Sequence, residues 1–444
     1  MKIVIAGAGE VGTHLAKLLS RENFDITLFD EDPEKIKNLE SNYDLLTLIG
    51  SPTSIKDLTE IGIKSADLFI AVTPYESVNM TACMLAKNLG AEKTLARIDN
   101  YEYLLPKNKE FFEKLGVNHL IYPEMLAAKE IVESLKSSWF RQNLSFCDNA
   151  LILLGIKVRG NAVIINRSFN KGFFDHDKYR IVAIKRNNNT IIPKGSDEIK
   201  AYDIVYFITT PENLDFVREQ AGKIDRPIRN IMFMGGSRIA QRTIKTLDNS
   251  YSIKVLERSK EKSYSLADKL NNSMIINCDG RNIEILKEEG IQEMDAFIAA
   301  TANTEANILA CVTAKRFGVK KTIAEVENND YIMLAESMDI GNVINKKMLA
   351  ASYIYKITLD ANVMNVRSLS AADAEVAEFV AKPGSKITRS QIKDIHLPDH
   401  VNIGGYVRDG EGHIVNGNTV IKPNDHVIVF CVSSAIRKIE NYFN

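Results

Sequence analysis

Cysteine is scarce and shows no pairing pattern: Cys83, Cys147, Cys278, Cys311 and Cys431 are odd in number, scattered and without a Cys-x-x-Cys. That argues against a disulfide framework or a zinc ribbon and suits reduced core residues of a cytoplasmic protein. The seven histidines, His14, His119 and His176 among them, form no HxxH or HExxH pair, so neither a metal centre nor a catalytic histidine is expected. No apolar run approaches the ~18 residues of a membrane span. The chain enters its first strand at residue 2 without a basic leader region, so no transmembrane helix or signal peptide is expected. Neither sign of charge dominates. With a net charge of −1 and basic residues spread among acidic ones, there is no stripe to neutralise a row of phosphates, and no nucleic-acid partner is expected.

What is present is ample core. The 444 residues are 45% hydrophobic and 25% charged, enough for three or four globular domains. The richest stretch is the first, Lys2 to Asp30. An apolar run, Ile3 to Ala6, passes into Gly7-Ala8-Gly9-Glu10-Val11-Gly12, continues with helical period, and ends in a second apolar strand closed by Asp30. This is a complete nucleotide-binding βαβ pattern. Gly7 permits the tight turn, Gly9 lets backbone approach a pyrophosphate, and Gly12 lets helix and strand pack closely. The anion rests on the helix N-terminus, where unpaired N–H groups point at it. Asp30 lies 18 residues past Gly12 (30 − 12), at the strand end where a carboxylate accepts bonds from ribose hydroxyls.

After Asp30, short apolar strands alternate with helix-period stretches: strands at 45–49, 68–73, 93–98 and 119–122, helices at 54–61, 77–89, 103–115 and 123–138. Six strands with crossovers predict an α/β, doubly wound parallel sheet. From Asn149 the rhythm changes to strands and turns, 151–158, 180–185, a hairpin turn at Asn187-Asn188-Asn189, and 204–208. This is an α+β module of about 80 residues, with Asp225-Arg226-Pro227 as its exit linker. Then the chain repeats. Gly235 follows Gly7 at 228 (235 − 7), Asp295 to Thr301 follow Asp67 to Thr73 at the same offset, and Arg408 and Asp425 echo Arg186 and Asp203. The expected domains are 1–138 and 226–362, both Rossmann-like, and 139–225 and 363–444, both small α+β modules.

Arg97 ends a strand at the carboxyl edge, where open α/β sheets bind ligands, and is expected to contact phosphate or ribose. Thr73 and Pro74 line the same crevice. Glu124 is read either as a helix-start carboxylate or as a ligand for a cation bridging a nucleotide phosphate. Glu31 and Asp32 form a solvated turn or, facing the ribose, disfavour a 2′-phosphate. In the second copy Gly235, Gly236, Ser237, Arg238, Ile239 and Glu257 take the corresponding positions. An NAD-dependent oxidoreductase is the alternative class, but the module after the first Rossmann-like unit carries no cluster of proton donor and carbonyl-polarising group.

With GAGEVG and Asp30, Thr73, Ala96-Arg97-Ile98, Tyr122-Pro123-Glu124 and, in copy two, Met234-Gly235-Gly236 with Leu256-Glu257-Arg258, the whole chain resembles the peripheral regulatory subunits of Trk-type potassium uptake systems. These are built of tandem RCK (KTN) units, each followed by a TrkA-C module. The resemblance implies a nucleotide ligand, NAD(H) or else ATP or ADP, and no catalysed reaction. It further implies a Trk-type potassium-translocating membrane partner, a homotetramer, and a cytoplasmic location, peripheral at the inner face of the cell membrane. Copy two departs from the pattern. Ser237 replaces Gly9, Ala240 replaces Gly12 and Glu325 replaces Arg97. A serine crowds the pyrophosphate approach and a carboxylate repels phosphate, while Glu257 retains a ribose-binding role.

Overall fold

The computed structural model describes residues 1–444 apart from 21–23, 41–44, 170–173, 188, 359–362, 370–373, 399 and 432–435. By contact the chain divides into two compact units, Met1–Ala127 with Lys346–Leu359, and Ala128–Asn345 with Asp360–Asn444.

The first unit follows from its opening run. Ile3 to Ala6 are all fully buried, as befits a parallel strand covered by helices on both faces. In order it contains β1 Lys2–Ala6, α1 Glu10–Ser20, β2 Asp25–Asp30, α2 Pro33–Glu40, β3 Leu46–Ile49, α3 Ile55–Glu60, β4 Leu68–Ala71, α4 Glu76–Asn88, β5 Lys93–Arg97, α5 Pro106–Lys114, β6 His119–Ile121 and the start of α6 Pro123–Leu135. The strands form one sheet in the order β3-β2-β1-β4-β5-β6. Every pairing is parallel, Val4 facing Thr27 on one side and Phe69 on the other. The order reverses between β1 and β4, so the carboxyl ends of these strands open the crevice where such sheets take ligands.

The second unit begins with a small antiparallel module: β7 Gln142–Phe146, β8 Leu151–Lys157, β9 Tyr179–Arg186, β10 Asn189–Ile191, β11 Ile204–Thr209 and α7 Leu214–Gln220, ordered β10-β9-β11-β8-β7. Strand β7 has no counterpart among the expected strands because Gln142, Asn143 and Ser145 hide its apolar pattern; Gln142 is nonetheless buried. The expected hairpin joins β9 to β10, with Asn187 at φ +53° and Asn188 outside the described residues. Helix α6 stops at Leu135 rather than at Ser138. The two serines beyond its end are engaged elsewhere: Ser137 Oγ donates to Asp225 Oδ1 at 2.8 Å, and Arg226 N donates to Ser138 Oγ at 3.0 Å. These bonds tie the segment leading into the module to the one leading out.

A second parallel sheet comes next, from β12 Asn230–Met234, α8 Arg238–Thr246, β13 Ser252–Glu257, α9 Lys260–Lys269, β14 Met274–Asn277, α10 Ile283–Glu288, β15 Ala296–Ala299, α11 Thr304–Arg316, β16 Lys321–Glu325, α12 Asn329–Ser337 and β17 Asn342–Ile344. Its order, β14-β13-β12-β15-β16-β17, repeats the first. After it stands α13 Lys346–Thr358, which belongs by contact to the first unit. The chain ends in a second antiparallel module of β18 Val363–Ser368, β19 Glu375–Val380, β20 Val401–Arg408, β21 Glu411–Ile414, β22 His426–Cys431 and α14 Ile436–Glu440. Both small modules hold the same ion pair on a buried aspartate: Arg186 bonds Asp203 at 2.8 Å and Arg408 bonds Asp425 at 2.7 Å. Their sheets share one core in which Phe146, Leu151 and Val182 meet Val376, Val407 and Phe430.

A polar joint fastens the first small module to the second parallel sheet. Asp339, at φ +55°, receives Arg141, Lys157 (2.9 Å), Arg159 (3.2 Å) and Lys315 (3.6 Å). Burial alone pushes the Asp339 carboxyl up, but Lys157, Arg141 and Lys315 together hold it below its ordinary value.

Candidate functional site

In the first unit the turn after β1 is built by its own glycines. Gly7 has φ +109°, and a Cβ there would lie 3.0 Å from Thr73 N; a Cβ on Gly12 would lie 1.9 Å from Gly7 O. Both positions therefore demand glycine for the fold itself. Gly9 is different: a Cβ there would meet nothing within 4 Å. The space in front of it is open, as the approach of a pyrophosphate requires, and a glycine offers no side chain to cap the start of α1. Asp30 fastens this turn, since its Oδ2 accepts from Ala8 N at 2.7 Å and its Oδ1 from Asp32 N at 2.9 Å. Oδ1 also accepts from Lys35 Nζ at 3.4 Å, which leaves Oδ2 with the second lone pair that a ribose hydroxyl needs. Lys35 folds back to 3.4 Å from Asp30 and 3.7 Å from Asp32, so the cation nearest in sequence does compensate these acids in part. Glu31 is exposed. Val11 is buried beneath the turn, and Glu10 pairs with Lys347 of α13.

The other expected residues line the same edge. Thr73 follows β4 and abuts Gly7, with Pro74 exposed beside it. Asn79, fully buried in α4, ties the edge together. Its Oδ1 accepts from Thr73 N at 2.9 Å and Thr73 Oγ1 at 2.7 Å; its Nδ2 donates to Thr73 O at 3.0 Å and Arg97 O at 2.9 Å. Arg97 therefore belongs to one network with the glycine turn. Its Nη2 is a loose 4.0 Å from Asp99, and its Nε is buried with no hydrogen-bond partner among the described residues. A buried donor left unmade costs about 1 to 3 kcal/mol, so this guanidinium is poised for an acceptor. Glu124 is 5% exposed; one carboxylate oxygen has no partner among the described residues and the other lies 4.0 Å from Lys346 Nζ.

Copy two differs at the start of its first helix. Gly235 repeats the turn at φ +95°, and Gly236, the counterpart of Ala8, leaves the place of its missing Cβ to Leu266, 2.2 Å away. Ser237 Oγ accepts from Ala240 N at 3.3 Å and so caps α8, consuming a donor that a phosphate would need. Arg238 opens α8, and Ile239 and Ala240 are buried. Glu257 accepts from Gly236 N and Ser259 N, both at 3.0 Å, and from Lys262 Nζ at 2.8 Å. Despite burial, these partners hold its carboxyl below its ordinary value. Glu325, in the place of Arg97, is buried.

Asn79, Lys346 and Lys347 are site residues that the motif reading does not reach. Asn79 has a signal in the repeat, because Thr73-to-Asn79 recurs as Thr301-to-Asn307 with the same hydrogen bonds. The two lysines have none, arriving from far along the chain.

Two Rossmann-like sheets of one topology, one with an open glycine turn, each followed by an antiparallel module, define a tandem fold of the RCK class. Comparison gives the same answer: the RCK domain of GsuK superposes with a TM-score of 0.62 at 13% identity, covering 100% of this chain and 94% of that one. The GsuK channel bound to NAD does so at 0.62 and 14%, covering 100% and 78%. The TrkA-N domain family matches residues 3–123 and 231–346, and the TrkA-C domain family 153–222 and 376–444. The chain is 33% identical over 440 residues to the Trk system potassium uptake protein TrkA of Vibrio alginolyticus, covering 98% of this chain and 96% of that protein. It is 32% identical to that of Haemophilus influenzae, covering 97% and 95%. The chain belongs to the TrkA family of Trk potassium uptake proteins.

Proposed function

We propose that the chain is a nucleotide-sensing regulatory subunit rather than an enzyme. It binds NAD(H), or alternatively ATP or ADP, in its first Rossmann-like unit and thereby sets potassium flux through a Trk-type membrane subunit. The observation that carries this reading is the unfinished state of the first crevice: open space before Gly9, a buried Arg97 Nε without an acceptor, and a Glu124 oxygen without a partner among the described residues. A dinucleotide or nucleoside phosphate completes all three, with its pyrophosphate on α1, its ribose on Asp30, and a cation between phosphate and Glu124. Gly7 to Gly12, Asp30, Thr73, Pro74 and Arg97 are the binding residues in this proposal. Gly235 to Ile239 with Glu257 form a second, weaker position. The functional divisions are 1–138, 139–225, 226–362 and 363–444.

No described helix is long and apolar enough to cross a membrane. The proposed place of action is the cytoplasmic face of the cell membrane, as a homotetramer supplying two RCK units per chain. A nucleotide shifts the partner only by its differential affinity for two arrangements of the assembly. Potassium flux through the reconstituted membrane subunit tests this, with and without the chain and with NAD, NADH, ATP or ADP added. Flux that depends on both chain and nucleotide is expected. Indifference under every condition, or steady NADH consumption with a 2-oxo acid, overturns it.

A further inference from the structure

Outside the nucleotide crevice, the contact between the two small modules gathers three metal-ligating side chains from three distant parts of the sequence. Cys147 stands in the turn between β7 and β8, Glu378 on β19 and His426 at the start of β22. Their ligand atoms all lie within 4.8 Å of one another. Cys147 Sγ is 3.3 Å from Glu378 Oε1, and His426 Nδ1 is 2.8 Å from the same oxygen. The strand register explains the pairing. Glu378 faces Ile428 and Val380 faces His426, so Glu378 and His426 point from the same face of the sheet as diagonal neighbours. The turn delivers the thiol from the other module. Cys147, Asp148 and Asn149 have φ of +47°, +53° and +71°, a backbone that persists only where its surroundings dictate it.

We propose that Cys147, Glu378 and His426 form a transition-metal site, of the Zn²⁺ class, that joins the first small module to the second. The donor set selects the metal. A thiolate and an imidazole are poor ligands for Mg²⁺, Ca²⁺ or K⁺ and good ones for Zn²⁺ or Co²⁺, and three protein ligands leave the fourth tetrahedral position to water. Charge balances as well: thiolate, carboxylate and neutral imidazole around a divalent ion make a neutral centre, which suits a carboxylate only 3% exposed. Without metal, burial and then the Glu378 carboxylate push the Cys147 thiol up to about 12, so it stays protonated and donates to Glu378. Metal binding displaces that proton and leaves the carboxylate and imidazole in place. The local spacing of histidines and cysteines does not show this site, because its ligands are brought together only by the packing of two modules. Occupancy ties those modules together and supplies an input separate from the nucleotide.

The test uses the full chain, reduced and stripped with a chelator, then titrated with Co²⁺ while absorbance is followed. A single Co²⁺ per chain, with thiolate-to-metal charge transfer in the near ultraviolet and tetrahedral bands in the visible, both bleached by Zn²⁺, is expected. Cys147→Ser abolishes the charge-transfer band, Glu378→Gln and His426→Gln weaken Co²⁺ at least tenfold, and Cys278→Ser leaves the spectrum unchanged. Zn²⁺ raises the melting temperature of the unmutated chain but not of His426→Gln. An unmutated chain that binds no Co²⁺, or a band that survives Cys147→Ser, shows a hydrogen-bonded triad only and overturns the proposal.

Discussion

The two parallel sheets share strand order, turn geometry and even a buried asparagine, yet the helix start that follows the first turn is bare in one and capped by its own serine in the other. Gly9 faces empty space, whereas its counterpart Ser237 caps its own helix. Arg97 has a dry donor to offer; Glu325 replaces it with a buried acid. A duplicated fold thus keeps its scaffold while a handful of positions decide whether ligand or side chain completes the sheet edge, since the backbone donors at a helix start must be satisfied by one or the other.

The largest effect expected from breaking this contrast is at Gly12. A methyl group there collides with Gly7 O, so Gly12→Ala strains the turn by about 1 to 3 kcal/mol and weakens nucleotide binding by up to about a hundredfold. Ala240→Gly in copy two leaves affinity unchanged. Calorimetric titration with NAD decides, and equal losses in the two variants would erase the distinction between the crevices. Next comes Arg97→Ala, expected to weaken binding about tenfold or more through a lost charge-assisted hydrogen bond of roughly 1.5 to 3 kcal/mol. Glu325→Ala has no such effect, and an unchanged dissociation constant for Arg97→Ala contradicts the assignment. A smaller effect sharpens the ribose end. Asp30 disfavours a 2′-phosphate, so NAD binds more tightly than NADP, and Lys35, half-exposed beside Asp30, moderates the preference. Lys35→Ala widens the NAD to NADP ratio by about twofold, as befits an exposed pair; direct titrations giving equal affinities for both cofactors count against it.

The last contrast concerns stability. Lys93 is exposed in copy one, but its counterpart Lys321 is buried, with Nζ donating to Phe140 O at 2.7 Å. Burial, aided by Arg141, drives its ammonium down to about 7. Between that value and the ordinary 10.5 the unfolded chain binds the extra proton, so folding stability rises with pH across this window and the penalty is greatest below it. Lys321→Met is therefore expected to raise the melting temperature by about 2 to 4 °C near pH 6 and by little near pH 10. Melting curves at both values check it; a pH-independent gain points to packing alone.

Much of this was legible in the residues. The βαβ opening, the glycine spacing and the recurrence at one offset rest on local pattern, and both parallel sheets follow it. Gly9 and Ser237 could be contrasted from residue type alone as an open and a crowded approach, whereas the bond by which Ser237 caps α8 depends on the backbone at the helix start and was not read. What could not be read is what distance in sequence conceals. Strand β7 hides its apolar face behind Gln142 and Asn143, the Asp339 joint draws cations from two domains, and Lys35 returns to Asp30 only because α2 turns it back. The two lysines that α13 brings to Glu10 and Glu124 are in the same class.

That helix also dictates when the first unit can be finished. Leu15, Ala16 and Leu19 of α1 are fully buried, and α13 packs along α1 from the far end of the second copy. At about 5 to 20 residues per second, a ribosome needs on the order of tens of seconds to travel from residue 127 to residue 358. Through that interval the nascent first unit holds a complete sheet with an uncovered helix flank. The order of synthesis therefore places the glycine-turn unit among the last parts of the chain to be completed.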